Sequence, residues 1–188
     1  MCLAFRMCGV RDTCIFVRVF LQLTFYIATM RIVLQKVSEA SVNVVDEETG
    51  ELDTTFAPQS IGIGYMLLVG VSDNDGKTQI DWLAHKIANL RVFEDEHGKM
   101  NLSIHDVGGA VLSISQFTLY GNVRKGNRPS FVGAGKPDHA QRVWEEFNEA
   151  LRAQGLEVKT GRFGAHMNVS LTNDGPVTIL FDTEELGI

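Results

Sequence analysis

The sequence predicts a single α+β domain with a mixed or antiparallel β-sheet core and two main amphipathic helices, at about 77–90 and 137–154. Short apolar segments with the two-residue period of strands alternate with these two helical patterns. Of the 188 residues, 45% are hydrophobic and 21% are charged, a composition typical of one globular domain. No internal repeat, low-complexity segment or linker divides the sequence.

Charge and cysteine content exclude several classes of protein. The formal net charge of −6 excludes a basic nucleic-acid coat protein, although it allows a local basic patch. Because all three cysteines precede residue 15, a disulfide-stapled scaffold is excluded as well. The five histidines form no i,i+3 or i,i+4 pair on a predicted helix, and no Cys/His pairing has zinc spacing. We therefore expect no metal site.

Residues 1–29 differ from the rest of the chain. They contain all three cysteines and carry a charge of +2, from three arginines and one aspartate. Arg18 and Gln22 interrupt the apolar stretch that a secretory signal or a spanning helix needs. We expect translation to start at Met30 and 1–29 to be a non-native or disordered extension; a targeting segment is the alternative. Since no later segment could span a membrane, we expect a cytoplasmic protein without membrane contact.

The first half of the domain is predicted to be mainly strands. Residues 31–37 and 40–45 alternate and form two successive strands, followed by an acidic, turn-rich surface loop or hairpin at 46–60. The nearly continuous apolar run at 61–71 is typical of a central strand that is buried on both faces.

Each predicted helix has an apolar face with helical spacing. Pro137 opens the second helix, where its missing N–H has no cost, and Gly155 closes it. The apolar face of the first helix recurs at i, i+3, i+4, i+7 and i+10 and consists of Ile80, Leu83, Ala84, Ile87 and Leu90.

Polar side chains interrupt the apolar strand predicted at 111–120. Strand alternation would send Ser115 and Phe117 to one face and Gln116 and Thr118 to the other. Burying hydroxyl and amide groups without partners is unfavourable. These side chains therefore either cross-link neighbouring strands or line a pocket, and the pattern alone allows both.

Two segments rich in turn residues complete the domain. Residues 173–178 (NDGPVT) are typical of a hairpin turn between strands predicted at about 165–171 and 177–181. Residues 107–137 contain no acidic side chain but include several cations. This local reversal of charge suits either a phosphate-binding site or a plain solvated loop.

Several separate motifs resemble the D-aminoacyl-tRNA deacylase family. The similarity runs from Met30 to about Asp182 in the order of that family, and it covers SQFTLY at 115–120, RKGNRPSF at 124–131, GRFGAHM at 161–167 and NDGPVT at 173–178. The resemblance implies a cytoplasmic homodimer without a cofactor. It would hydrolyse the ester between a D-amino acid, or glycine, and the 3′-terminal adenosine of tRNA.

The resemblance also implies which residues are catalytic: Ser115, Gln116, Phe117 and Thr118 would line the active site. Thr118 could be a nucleophile, but neither His nor Asp is next to it in sequence to activate it. The alternative, which we prefer, is an oxyanion hole of backbone N–H groups around Phe117 and Thr118, assisted by the adenosine 2′-OH.

The substrate-binding residues also follow from the resemblance. Gly175 and Pro176, joined by a cis bond, would enter the partner subunit's pocket and exclude L-amino acids with main-chain atoms. Asn173 and Met167 would contact the substrate. The local reversal of charge, and not the resemblance, indicates that the cations Arg124, Lys125 and Arg128 would bind the tRNA, since the rest of the domain is acidic.

One departure and two competing functions remain. The family commonly has arginine where Lys36 stands, and lysine cannot form the same forked contacts. A non-catalytic RNA- or nucleic-acid-binding module would use the basic stretch without hydrolysis. A generic serine or threonine hydrolase would act on small esters without tRNA.

Overall fold

A six-stranded sheet is the framework of this computed structural model, which describes residues 29–188. The extension predicted at 1–29 lies outside the described residues, except for Thr29. In chain order the elements are β1 (Arg31–Val44), β2 (Gln59–Ile61), β3 (Gly64–Gly70), α1 (Lys77–Ala88), β4 (Phe93–Glu94), β5 (Met100–Leu102), β6 (Ala110–Ser115), a 3-10 turn (Phe117–Tyr120), α2 (Pro137–Ala153), β7 (Glu157–Thr160) and β8 (Met167–Asp182).

The long strand β1 lies inside the sheet. It pairs antiparallel with β8 along one edge, and with β2 and β3 along the other. β6 adds in parallel to β3, and β7 in parallel to β6, while β4 and β5 form a separate two-stranded hairpin. The α+β class is thus confirmed, and the two strands expected at 31–37 and 40–45 are one continuous strand.

Both predicted helices are present within two residues of their expected ends. They cover one face of the sheet, where the buried side chains of α1 and α2 include Leu83, Ile87, Phe147 and Leu151. On this face the indole N–H of Trp144 donates to the buried Ser113 hydroxyl at 3.0 Å, which ties α2 to β6. No helix among residues 29–188 is long and apolar enough to cross a membrane.

The central strand is confirmed in a shorter form. β3 lies between β1 and β6, and its residues are almost all buried. The apolar run predicted at 61–71 is broken at residues 62–63, so its first residue belongs to β2. A second, smaller apolar cluster fills the other face of the sheet and includes Val42, Met66 and Ile114.

The hairpin turn expected at 173–178 is wrong, because the chain does not reverse there. Both halves of β8 pair with β1 in the same direction, with Thr178 opposite Gln35 and Asn173 opposite Val37. Residues 174–177 therefore bulge out of the strand opposite Lys36, and we call them the Gly-Pro loop. Turn-forming residues permit a bulge as readily as a reversal, and the pairing with β1 decides between the two.

The strand expected at 111–120 ends at Ser115, so its predicted alternation of faces is also wrong beyond that point. The N–H of Gln116 still donates to the Val69 carbonyl at 2.8 Å, after which the chain turns into the 3-10 helix. This turn packs on the end of β3, where a Cβ on Gly70 would lie 3.0 Å from the Tyr120 ring.

A buried carboxylate joins β3 to α1. Asp75 is only 2% exposed, and its Oδ2 accepts the Ser72 N–H at 2.6 Å. Its Oδ1 has no hydrogen-bond partner among residues 29–188. Burial raises the pKa of Asp75, whereas hydrogen bonds from Ser72 and from the backbone of Thr29, followed by electrostatic attraction to His139, oppose the rise.

We predict that Asp75→Asn matches or exceeds the wild-type stability at pH 7. The amide oxygen keeps the bond to Ser72, while the buried charge is removed. Because the pKa of Asp75 is raised by folding, the wild type should recover stability relative to the variant as the pH falls through that raised value to about 4. Urea unfolding at several pH values measures this, and a variant less stable at every pH would contradict it.

Candidate active site

A cleft of about 600 Å³ opens where the end of β6 meets the start of α2 and the start of β8. One wall is the end of β6 and the residues after it, and the other is the turn before β8. Between them, the floor comes from the end of β3 and the start of α2. The lining includes Val69, Ser115, Gln116, Phe117, Gly135, Pro137, Phe163, His166 and Met167.

Three of the four predicted catalytic residues line this cleft, namely Ser115, Gln116 and Phe117. Thr118 follows in the 3-10 turn and is exposed, and its Oγ1 accepts a hydrogen bond from Gln116 Nε2 at 2.5 Å. Among the described residues, no imidazole or carboxylate hydrogen-bonds to Thr118. The geometry therefore gives its hydroxyl no base.

The backbone N–H groups of Phe117 and Thr118 have no acceptor within residues 29–188. The cause is local, because the first N–H groups of a helical turn precede any carbonyl that could accept them. The turn starts at Phe117, and its first backbone bond within the chain comes from the Leu119 N–H to the Gln116 carbonyl, at 3.4 Å. Two consecutive N–H donors thus lack an acceptor, and the first belongs to Phe117, which lines the cleft.

The opposite wall is formed by the turn before β8. Met167 reaches it because position 161 is glycine; a Cβ there would lie 2.5 Å from the Met167 sulfur. Phe163 packs against Trp144 with ring centroids 6.1 Å apart. The site prediction included Met167 but missed Phe163 and His166, although the GRFGAHM motif that contains them was the available signal.

The acidic loop predicted at 46–60 rests on this wall. Arg162 bonds to the Asp53 carboxylate at 2.5 Å and to the Thr55 hydroxyl at 3.1 Å. Hydrogen bonds from Thr55, and then from Arg162, hold the pKa of Asp53 below its usual value. These contacts bring Glu47 of the same loop to the edge of the cleft.

The Gly-Pro loop is held by side chains on both sides. Its Gly175–Pro176 bond is cis, as expected from the resemblance, and the φ of Gly175 is 123°, a value that favours glycine. A Cβ at Gly175 would lie 2.7 Å from a methyl group of Val177. Asn173 accepts from the Val177 N–H at 3.1 Å and donates to the Thr178 hydroxyl at 3.0 Å, closing the base of the loop.

Lys36 braces this loop through an ion pair. Its ammonium lies 2.9 Å from the Asp174 carboxylate and 5.9 Å from the centre of the Phe93 ring. The Lys36 side chain is 5% exposed, whereas that of Asp174 is 56% exposed. The pair therefore fixes a buried cation to an exposed loop.

The structure does not bring the Gly-Pro loop to the chain's own cleft. Asn173, Gly175 and Pro176 are absent from its lining, whereas Met167, on the same strand, is part of it. Met167 and Asn173 are six residues apart on β8, which corresponds to about 20 Å of extended strand.

The three predicted tRNA-binding cations lie on one exposed loop. Residues 122–130, which we call the basic loop, are closed by paired hydrogen bonds between Asn122 and Ser130, at 2.8 and 2.9 Å. Arg124, Lys125 and Arg128 are all exposed, and none forms an ion pair with another described residue.

Within residues 29–188, no group of three or more His, Cys, Asp or Glu side chains could hold a metal ion.

Residues 33–182 match the family model described as D-Tyr-tRNA(Tyr) deacylase. The chain belongs to this deacylase family. A D-aminoacyl-tRNA deacylase of Bifidobacterium adolescentis is 81% identical over 159 residues, which cover 85% of this chain and all of that protein. A D-aminoacyl-tRNA deacylase of Thermus aquaticus is 54% identical over 156 residues, 83% of this chain and 97% of that protein.

Two solved structures are similar to this chain in fold. One, named c-Myc DNA Unwinding Element Binding Protein, is 41% identical with a TM-score of 0.68, over 80% of this chain and 97% of that one. Another, a probable eukaryotic D-amino acid tRNA deacylase, is 19% identical with a TM-score of 0.66, over 82% of this chain and 99% of that one. This second likeness concerns the fold alone. As a deacylase, the chain is a hydrolase that acts on ester bonds.

The Lys36–Asp174 pair predicts an asymmetric response to mutation. Asp174→Asn leaves a buried ammonium without its counter-charge and should lower the free energy of unfolding by about 1–3 kcal/mol. Lys36→Met leaves an exposed carboxylate that water can solvate, so it should lower the free energy of unfolding by less than Asp174→Asn does. Urea unfolding of both variants measures the difference.

The exposed pair Lys77–Asp81, with side chains 85% and 55% exposed, provides the matched control. Asp81→Asn should change stability by less than about 0.5 kcal/mol. Equal effects of Asp174→Asn and Asp81→Asn would show that burial of Lys36 does not matter.

Proposed function

We propose that this deacylase hydrolyses the ester of D-aminoacyl-tRNA, and of mischarged glycyl-tRNA, in the cytoplasm as a homodimer. The observation that carries the proposal is the pair of unpaired N–H groups of Phe117 and Thr118, at the cleft of a chain 81% identical to a D-aminoacyl-tRNA deacylase. Such oriented donors stabilise the negative charge that develops on an ester carbonyl oxygen.

The reaction needs little from side chains. Water adds to the ester carbonyl carbon while the two N–H groups hold the carbonyl oxygen. The intermediate then collapses, the bond to the ribose 3′ oxygen breaks, and that oxygen takes up the proton released by the water. The adenosine 2′-OH is next to the leaving oxygen and can pass this proton. Each backbone donor of this kind contributes about 3 kcal/mol to the lowering of the barrier.

The D-selectivity is assigned to the Gly-Pro loop of a second copy of the chain. A chain's own loop lies about 20 Å along β8 from its cleft, so a second copy is the source that fits. The contacts of Asn173 and Lys36 hold the loop in one shape. Carbonyl oxygens facing the substrate α-carbon would collide with any L side chain and accept D-amino acids and glycine, whatever the side chain.

The direct test compares the release of amino acid from D- and L-aminoacyl-tRNA. The wild-type protein should hydrolyse the D form at least about a hundredfold faster, because backbone collision costs several kcal/mol. A generic esterase would hydrolyse a small ester as well as the tRNA ester. A nucleic-acid-binding module would release no amino acid from either form. This alternative is included because the 41% identical relative is named a DNA-binding protein.

Thr118→Ala should retain deacylation within about tenfold of wild type. The substitution removes the hydroxyl and keeps the backbone N–H that the mechanism uses. Turnover of D-aminoacyl-tRNA at saturation, with unfolding curves to confirm the fold, measures this. A loss of several orders of magnitude in a folded variant would establish a threonine nucleophile instead.

Neutralising Arg124, Lys125 and Arg128 together should weaken tRNA binding and reduce its salt dependence. Each lost phosphate contact lowers the log–log slope of affinity against salt by about 0.7–0.9. The preference for D over L should not change, because phosphates carry no information about the α-carbon. Binding titrations at several salt concentrations test this, and an unchanged slope would show that the basic loop is only solvated.

A further inference from the structure

Two aromatic rings meet at the mouth of the cleft. Phe117 lines the cleft, yet 58% of it is exposed, which is unusual for so large an apolar residue. Its ring meets that of Phe131 edge to face, with centroids 5.1 Å apart and an interplanar angle of 72°. Phe131 is half-buried, so the exposed surface of the pair belongs mainly to Phe117.

Backbone contacts hold both rings in place. Phe117 is the first residue of the 3-10 turn, and Phe131 directly follows the hydrogen-bonded pair that closes the basic loop. The Phe131 ring also packs on the main chain at Gly121, where a Cβ would lie 3.3 Å from the ring edge. The exposed Phe117 ring therefore rests against a ring that is itself packed on the main chain.

The pair lies between the cleft and the basic loop. On one side Phe117 is part of the cleft wall, and on the other Phe131 joins the loop that carries Arg124, Lys125 and Arg128. A strand of nucleic acid that placed its last nucleoside in the cleft would pass the rings before its phosphates reached these cations. An aromatic face beside a cationic groove is the arrangement that binds single-stranded nucleic acid.

We propose that the Phe117 ring, supported edge-on by Phe131, stacks with the base of the nucleotide that precedes the 3′-terminal nucleoside of the substrate. This inference rests on the proposed function. Stacking uses the π-face that every base has, so it holds the strand without reading its sequence. We call the Phe117–Phe131 pair the platform. It would hold the acceptor end of the tRNA near the ester and leave the choice between D and L to other groups.

The test compares two short substrates, 3′-D-aminoacyl-adenosine and the 3′-D-aminoacylated dinucleotide cytidylyl-adenosine. Wild type should use the dinucleotide with a kcat/KM about tenfold higher, mainly through KM. Phe131→Leu, which keeps apolar packing, should lose most of this preference while its turnover of aminoacyl-adenosine stays the same. Phe117→Leu should lose the preference as well, and Phe117→Tyr, which keeps the ring, should retain it.

Val132→Ala is the matched control, since Val132 is 92% exposed next to Phe131 and carries no ring. It should retain the wild-type preference. A dinucleotide whose first nucleotide lacks its base should be no better than aminoacyl-adenosine. If that abasic substrate matches the intact dinucleotide, or if both leucine variants keep the preference, the platform does not exist.

Binding of uncharged cytidylyl-adenosine and of adenosine separates this inference from the proposed function. The dinucleotide should bind wild type about tenfold more tightly than Phe117→Leu, whether or not any ester is cleaved. Equal binding would overturn the platform. Wild-type protein that binds the dinucleotide in this way but releases no amino acid would overturn the proposed hydrolysis alone.

Discussion

β8 pairs with β1 over nearly its whole length, and two points along this pairing fix two different parts of the proposed site. At one end, Met167 lies in the wall of the cleft. Further along, four residues of β8 face a single residue of β1, so the Gly-Pro loop is forced out of the sheet opposite Lys36. One register therefore sets both the shape of the cleft and the distance from it to the loop.

The site that results relies on the main chain more than on reactive side chains. The N–H groups of Phe117 and Thr118 are available because a helical turn begins at Phe117. The conformation of Gly175 has a φ of 123° and leaves no room for a Cβ. Side chains such as Asn173, Lys36 and Arg162 act by holding loops and walls in place. As proposed, a site of this kind would tolerate varied amino-acid side chains in its substrate, because it would contact the atoms that all of them share.

The sequence predicted the parts of the fold that depend on local periodicity. Both helices followed from the spacing of apolar residues, and the buried strand β3 followed from a nearly continuous apolar run. The motifs located Ser115, Gln116, Phe117 and Met167, which line one cleft. The errors arose where distant pairing decides the local structure. The turn residues at 173–176 fit a hairpin and a bulge equally well, and only the partner strand distinguishes them. In the same way, β6 ends at Ser115 before the apolar pattern does, where the chain turns into the 3-10 helix that packs on Gly70 of β3.

The central claim is that each cleft is completed by the Gly-Pro loop of a second copy, and mixing two defective variants tests it most directly. Ala165→Trp fills the cleft and should abolish hydrolysis, whereas Gly175→Ala displaces the loop, leaves the cleft intact and should abolish the preference for D over L. Gly98→Ala, which also has a positive φ but open space, controls for the backbone change. When Gly175→Ala exchanges subunits with an equal amount of Ala165→Trp, half of the open clefts receive an intact loop, so hydrolysis of L-aminoacyl-tRNA should fall by about half while hydrolysis of the D form persists. Unchanged hydrolysis of the L form, despite demonstrated subunit exchange, would contradict the account.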